Sequence, residues 1–327
     1  RLLCKSTLLQ LIFAVTYKCN ARCAMCNIWK FYHDDYRGVF PQSQLPAEEL
    51  ALEDIAEAFR DRAMHHLTDI YITGGEPFLR DDLPEIVDIV IARNKSVSTK
   101  IPTNALVPGK VAEVVEEILR RHPRSDIVIS ASLDGLGETH DRIRGMRSSF
   151  KRVCETLELL LELKARYSNL RVASSLTINE DNYIQVLPTA EFLRSIGISD
   201  FTFRPRHVSK HYYGVKDPWR ISMEQVIAAI ETQNNSLPKV ATSFFTDKIP
   251  DYLKHPHRMV VPCFSTFHSV FIDTYGNVYP CAVWDRALGN IKQSTFSDVW
   301  NCPVMRECRV DVRSRRCPNC WTECESW

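Results

Sequence analysis

The chain has 327 residues, 45% of them hydrophobic, and 41 Lys and Arg against 40 Asp and Glu leave a formal net charge of +1. That length admits about two domains and a sizeable core. Without a basic excess there is no general electrostatic grip on nucleic acid or an anionic membrane. The longest apolar stretch, residues 8–15, is far short of the roughly 20 residues that span a bilayer. The expectation is a cytoplasmic globular protein with no nucleic-acid or membrane partner.

The apolar run 8–16 reads as a buried strand that empties into a cysteine loop, and 46–66 has helical periodicity. A strand over 69–73 ends at Gly74-Gly75-Glu76-Pro77. Alternation then continues with a helix near 82–94, a strand near 97–103, a helix near 109–121 and a strand over 127–133. A helix near 149–166, a strand over 170–178, a helix near 183–196 and a strand over 201–204 complete it. Six strands alternating with helices imply parallel βαβ units, as an open sheet or a barrel. The motifs fall at strand–loop junctions, where a parallel barrel places its chemistry. A helix near 222–233 is the one element placed between 206 and 260. After 260 the rhythm stops: segments 268–272 and 278–281 flank a hairpin turn at 273–277, followed by a short helix near 295–300 and a cysteine-rich tail. The division expected is therefore 1–205, a connecting segment 206–260, and a smaller module 261–327.

The 12 cysteines are unevenly placed: Cys19, Cys23 and Cys26 crowd one loop and seven more lie in the last 65 residues. Tight C-x-x-C spacing in a long chain without a legible secretion signal reads as metal or cluster ligation in a reducing compartment rather than as a disulfide framework. Three thiolates within eight residues are one short of a closed zinc site. A [4Fe–4S] cube normally takes four cysteines, so three would leave one iron open for a substrate or cofactor. A zinc loop completed by a distant ligand remains the alternative at this point.

The Cys19-x3-Cys23-x2-Cys26 loop, with Gly74-Gly75-Glu76-Pro77 after the second strand, resembles the radical S-adenosylmethionine (SAM) superfamily over most of the chain. The resemblance implies a partial (β/α)6 TIM-like barrel. It implies three cysteines on a [4Fe–4S] cluster whose open iron SAM chelates, and reductive cleavage of SAM to a 5′-deoxyadenosyl radical that abstracts hydrogen. Gly74 and Gly75 would let backbone approach a ligand, and Glu76 would offer an acceptor to an ammonium group. Ser132-Leu133-Asp134-Gly135 with His140-Asp141 and Arg144 is similar to members that carry auxiliary clusters. By that likeness Ser132 and Arg144 bind the SAM carboxylate, Asp134 belongs to the cofactor site, and Asn104 lines the SAM cleft. Ala105 stands where the family usually has Gly, and Met25 where an aromatic residue commonly meets the adenine.

Cys263-x12-Gly276-x4-Cys281 and Cys317-x2-Cys320 resemble the SPASM and twitch domains. That likeness implies one auxiliary [4Fe–4S] cluster on Cys263, Cys281, Cys317 and Cys320, although four thiolates in this spacing also satisfy zinc. Cys324 is a candidate hydrogen-atom donor or spare ligand, and Arg204, Arg206 and His207, after the sixth strand, are candidate substrate contacts. The main expectation is a radical SAM oxidoreductase that oxidises or epimerises a small, sugar- or cyclitol-like molecule, reduced by a flavodoxin or ferredoxin. The alternative is a maturase that modifies a peptide or protein side chain. Many such maturases carry a recognition domain ahead of the barrel, and Cys19 lies so near residue 1 that none is visible, which weighs toward the small molecule. A zinc-stabilised binding protein is the distant third.

Overall fold

The computed structural model describes residues 6–32, 48–207, 219–236, 243–256, 258 and 260–321. Six parallel strands alternate with helices, as the βα rhythm of the sequence predicts: β1 (Gln10–Thr16), β2 (Asp69–Gly74), β3 (Ser98–Thr103), β4 (Ile127–Ser132), β5 (Leu170–Ile178) and β6 (Asp200–Pro205). Between them run α1 (Leu52–Phe59), α2 (Leu83–Arg93), α3 (Pro108–Arg121), α4 (Glu138–Arg144), α5 (Ser149–Arg166) and α6 (Val186–Ser195). One strand face packs on these helices through residues such as Leu11, Phe13, Ile72, Ile101, Ile129 and Val172, all buried in one core cluster. The opposite face holds a smaller cluster with Ile12, Ala14 and Phe271. Among the described residues β6 stands at one edge of the sheet and does not close onto the other, so this is a partial barrel.

β1 does not lie at an edge. Its second flank pairs in parallel with β7 (Ser269–Ile272), in the register Gln10 with Ser269 to Phe13 with Ile272. β8 (Asn277–Tyr279) and β9 (Gly289–Asn290) follow antiparallel, giving one nine-stranded sheet in the order β6-β5-β4-β3-β2-β1-β7-β8-β9. The expected hairpin of the C-terminal module is present, but its strands continue the barrel's own sheet. Four further helices are α7 (Met223–Asn234), α8 (Ser243–Lys254), α9 (Phe296–Trp300) and α10 (Pro303–Arg313).

The expected helix over 46–66 is corrected from residue 48 onward, 46 and 47 lying outside the described residues. Helix starts only at Leu52, where the Asp54 carboxylate accepts from the Ala51 amide, and it stops at Phe59. Asp61 then accepts from Ala63 N and opens a separate short 3-10 turn over Arg62–His66. A side-chain cap in mid-pattern offers the backbone an alternative partner and divides the element. Among the described residues no helix is long and apolar enough to cross a membrane.

Candidate active site

The C-terminal ends of β2 to β6 surround a cleft of about 1070 Å³, counting space open to solvent, whose other wall is the loop carrying Cys19, Cys23 and Cys26. This loop is gripped from two sides. At the end of β2, Gly75 N donates to Thr16 O at 2.7 Å and Glu76 N to Lys18 O at 2.8 Å. A Cβ on Gly75 would stand 2.3 Å from the Lys18 carbonyl oxygen, and one on Gly74 2.1 Å from that of Thr16. These glycines line the cleft, yet the backbone they approach most closely is the cysteine loop's own. On the other side, Arg22 N bonds Arg144 O at 3.0 Å and Ala24 N bonds Ile143 O at 2.9 Å, tying the loop to the last turn of α4. Gly145, at φ +64°, leaves room for Arg22 O, which its Cβ would meet at 2.5 Å. Glu49 adds a brace, accepting from Thr16 Oγ1 and Tyr17 N, both at 2.8 Å.

Glu76 is fully buried, and its carboxylate accepts from Asn104 N at 2.6 Å, Thr103 Oγ1 at 2.9 Å and Phe78 N at 3.2 Å. The carboxylate is thus spent on the β3 turn, and neither Glu76 nor Pro77 lines the cleft. Burial pushes Glu76 up to about 7 against the three hydrogen bonds that favour its charge. Asn104 does line the cleft; its amide donates to Asn20 Oδ1 at 2.7 Å and points at Cys19 Sγ from 3.8 Å.

Ser132, at the end of β4, and Arg144, at the end of α4, share the cleft. Arg144 reaches Cys23 Sγ with Nη1 at 3.6 Å and Asp134 Oδ2 with Nη2 at 2.6 Å. Burial works against its charge, but Asp134 and Cys23 outweigh that and raise its pKa, holding the guanidinium protonated. Asp134 itself is buried beneath the cleft wall, where Oδ1 also accepts from Thr177 N at 2.8 Å.

The loop's donor set fits an iron–sulfur cluster. Desolvation holds all three thiols above their usual range, Cys19 at about 12 and Cys23 and Cys26 also upward. Buried thiolates of this kind need a cationic centre, which cluster iron supplies. The thiols line one wall together, although among the described residues no three His, Cys, Asp or Glu side chains stand at single-ion spacing.

Arg204, Arg206 and His207 form the β6 end of the same cleft. Arg206 pairs with Glu180 at 3.1 Å and sits over the Trp219 ring at 5.2 Å. His207 Nε2 lies 2.6 Å from the Trp321 carbonyl oxygen, and the Trp321 ring packs on Tyr252 and Phe245 of α8. The segment with Cys317 and Cys320 is thereby moored at the cleft mouth. Cys263 and Cys281 flank the β7–β8 hairpin, where Ser265 Oγ donates to Pro280 O at 2.5 Å. Cys324 lies outside the described residues. Glu49 and Gly145 are site-building residues that the motifs did not name, and a glycine ending a helix at Arg144 was the one visible signal for them, while His140 stood in a motif without a role.

A cysteine-bearing loop clamped over the mouth of a partial parallel barrel defines a class, and family models place the chain in it. Residues 13–193 match the radical SAM superfamily and residues 263–325 an iron–sulfur cluster-binding domain, SPASM. The chain belongs to the radical SAM superfamily, with the [4Fe–4S] cluster and SAM that membership implies and a C-terminal SPASM domain for auxiliary iron–sulfur. It is 25% identical over 298 residues to the antilisterial bacteriocin subtilosin biosynthesis protein AlbA of Bacillus subtilis, covering 90% of this chain and 60% of that protein. It is 24% identical to the sporulation killing factor maturation protein SkfB of the same organism, covering 93% of this chain and 67% of the relative. An AdoMet-dependent heme synthase of Methanosarcina barkeri is 23% identical, with 90% of this chain and 83% of that protein covered. Streptococcus suis SuiB shares the fold at TM-score 0.64 and 16% identity, over 93% of this chain and 68% of SuiB. The chain spans only 60% of the AlbA relative, so the nearness of Cys19 to residue 1 carries no weight against a peptide substrate.

Proposed function

We propose that this chain is a radical SAM maturase that modifies a ribosomally made peptide. The observation that supports the reading is that likeness to a bacteriocin biosynthesis protein and a killing-factor maturation protein runs through at least 90% of the chain, barrel and SPASM domain together. Nothing favours the sugar- or cyclitol-like substrate of the first expectation, and the peptide reading replaces it. When bound, the cluster and SAM supply one-electron cleavage that yields a radical able to take hydrogen from an unactivated C–H.

The chain's own residues position and shield. Cys19, Cys23 and Cys26 hold the cluster, and Ser132 and the Arg144 guanidinium hold the SAM carboxylate, a planar group that a fork of N–H donors suits. Gly74, Gly75 and the buried Glu76 fix the loop against β2 and β3. Met25 gives the adenine an apolar face. Arg204 and His207 border the peptide's entry, while Arg206 is engaged by Glu180 and Trp219. Cys263, Cys281, Cys317 and Cys320 hold one auxiliary cluster, and a flavodoxin or ferredoxin reduces the centre.

The test is anaerobic iron and sulfide quantitation on reconstituted wild type and on a Cys19/Cys23/Cys26→Ala triple variant. Dithionite-driven SAM cleavage follows, with a synthetic peptide encoded beside the gene. About eight irons in wild type, about four in the variant, and peptide lighter by two hydrogen atoms only with wild type are expected. Zinc in place of iron, or SAM cleavage with no change in any such peptide while a porphyrin substrate is turned over, overturns the reading.

A further inference from the structure

His140 is buried in α4, and the motif roles expected from the family resemblance leave it without one. Its Nδ1 accepts from the backbone N–H of Asp134 at 3.0 Å. The ring is therefore the neutral tautomer with hydrogen on Nε2, an atom that is buried and has no hydrogen-bond partner among the described residues. Burial drives its pKa down to about 3, so it is neither an acid nor a base at working pH. A histidine that cannot titrate and carries an unmet donor is a poor choice for plain packing beside Phe150.

Its acceptor nitrogen has one target. The Asp134 amide opens the turn after β4, and from that turn the Asp134 carboxylate holds Arg144 at 2.6 Å. Arg144 in turn spans to Cys23 Sγ and faces the cleft beside Ser132. α4 begins at Glu138 and ends at Arg144, so His140 and Arg144 are one turn apart on one helix, both tied to the same residue. One end of α4 fixes the aspartate's backbone and the other receives its side chain.

We infer that His140 is a positioning residue for SAM: by holding the Asp134 backbone it sets the plane of the Arg144 guanidinium against the SAM carboxylate. This rests on the SAM-binding reading of Arg144. Without the Nδ1 acceptor the Asp134 turn loosens, the guanidinium rotates, and carboxylate recognition weakens while the cluster ligands stay in place.

Three variants separate an acceptor from a shape. In His140→Asn the amide oxygen falls near the position of Nδ1, in His140→Gln it falls near Nε2, and His140→Leu has none. SAM dissociation constants are measured anaerobically on reconstituted protein, with iron content and the electron paramagnetic resonance shift of the reduced cluster on SAM addition. Exchange of the Asp134 amide is followed on the cluster-free chain. Leu and Gln should raise the SAM constant about tenfold at unchanged iron and speed Asp134 exchange, and Asn should stay within about threefold of wild type. Should Leu fail to fold, the Asn–Gln contrast carries the test. Equal SAM binding by wild type and Gln, or equal weakness of Asn and Gln, overturns the inference. Wild type that binds no SAM at all overturns the proposed function instead.

Discussion

Replacing Gly75 by alanine tests how the cysteine loop is held. The new Cβ would lie 2.3 Å from Lys18 O and 2.8 Å from both Lys18 C and Tyr17 O. Ordinary carbon contacts are about 3.5 Å, so relief demands a shift of roughly 1 Å. Every obstructing atom is backbone, so no side chain can swing aside. Overpacking of this kind costs about 1–3 kcal/mol. The shift also stretches the Gly75–Thr16 and Glu76–Lys18 hydrogen bonds, each contributing about 1 kcal/mol net. The expected loss is about 3–5 kcal/mol, read by urea unfolding of the cluster-free chain with far-UV circular dichroism. Gly109 is the control: it is the second residue of α3 and its Cβ would meet nothing within 4 Å, so alanine there should stabilise by about 0.5–1 kcal/mol. Because Lys18 precedes Cys19, Gly75→Ala should also lower iron uptake. If it unfolds within about 1 kcal/mol of wild type and takes up full iron, the close approach is not what the glycine serves.

Arg144→Met should cost about 3–5 kcal/mol in urea unfolding by stranding the fully buried Asp134 carboxylate, and Arg144→Met/Asp134→Leu should recover part of it; additive losses would deny the pair. His140 sits near 3 when folded and near 6.5 when unfolded, so stability intact above pH 6.5 falls as the unfolded chain takes up a proton, by about 2 kcal/mol between pH 6.5 and 5. Unfolding curves of His140→Leu should lack that part of the slope. Trp321→Ala removes a nearly fully buried ring from Tyr252 and Phe245, and should cost about 3–5 kcal/mol and open the segment around Cys317 and Cys320 to limited proteolysis, read by mass spectrometry.

β1 was legible as a short apolar run, the mixed strands β3 and β6 from the alternation of buried and half-buried positions within the βα rhythm, and the loop cysteines because their spacing is chemical. The missed helices each broke a reading rule. α8 carries Pro250 inside it. α10 lies in the stretch read only as a cysteine-rich tail, and its cap is the Cys302 thiol, which accepts from Met305 N. α4 has seven residues, too few to show a period. At the site, sequence marked Glu76 but could not tell where its oxygens go: their donors come from Thr103 and Asn104, brought alongside only when β3 pairs with β2. The same holds for the joining of hairpin and barrel, since pairing partners across a sheet leave no mark in either strand.

That pairing sets an order of assembly. Ser269 follows its partner Gln10 by 259 positions. At roughly 5–20 residues per second, β1 waits on the order of ten to fifty seconds of synthesis for its second neighbour. Throughout that interval its seven residues, all buried in the finished protein, present an apolar strand with bare amides along one side. The strand that delivers the cluster loop is thus a nascent-chain segment in need of shelter, although the residues that grip the loop itself, up to Gly145, are made long before β7.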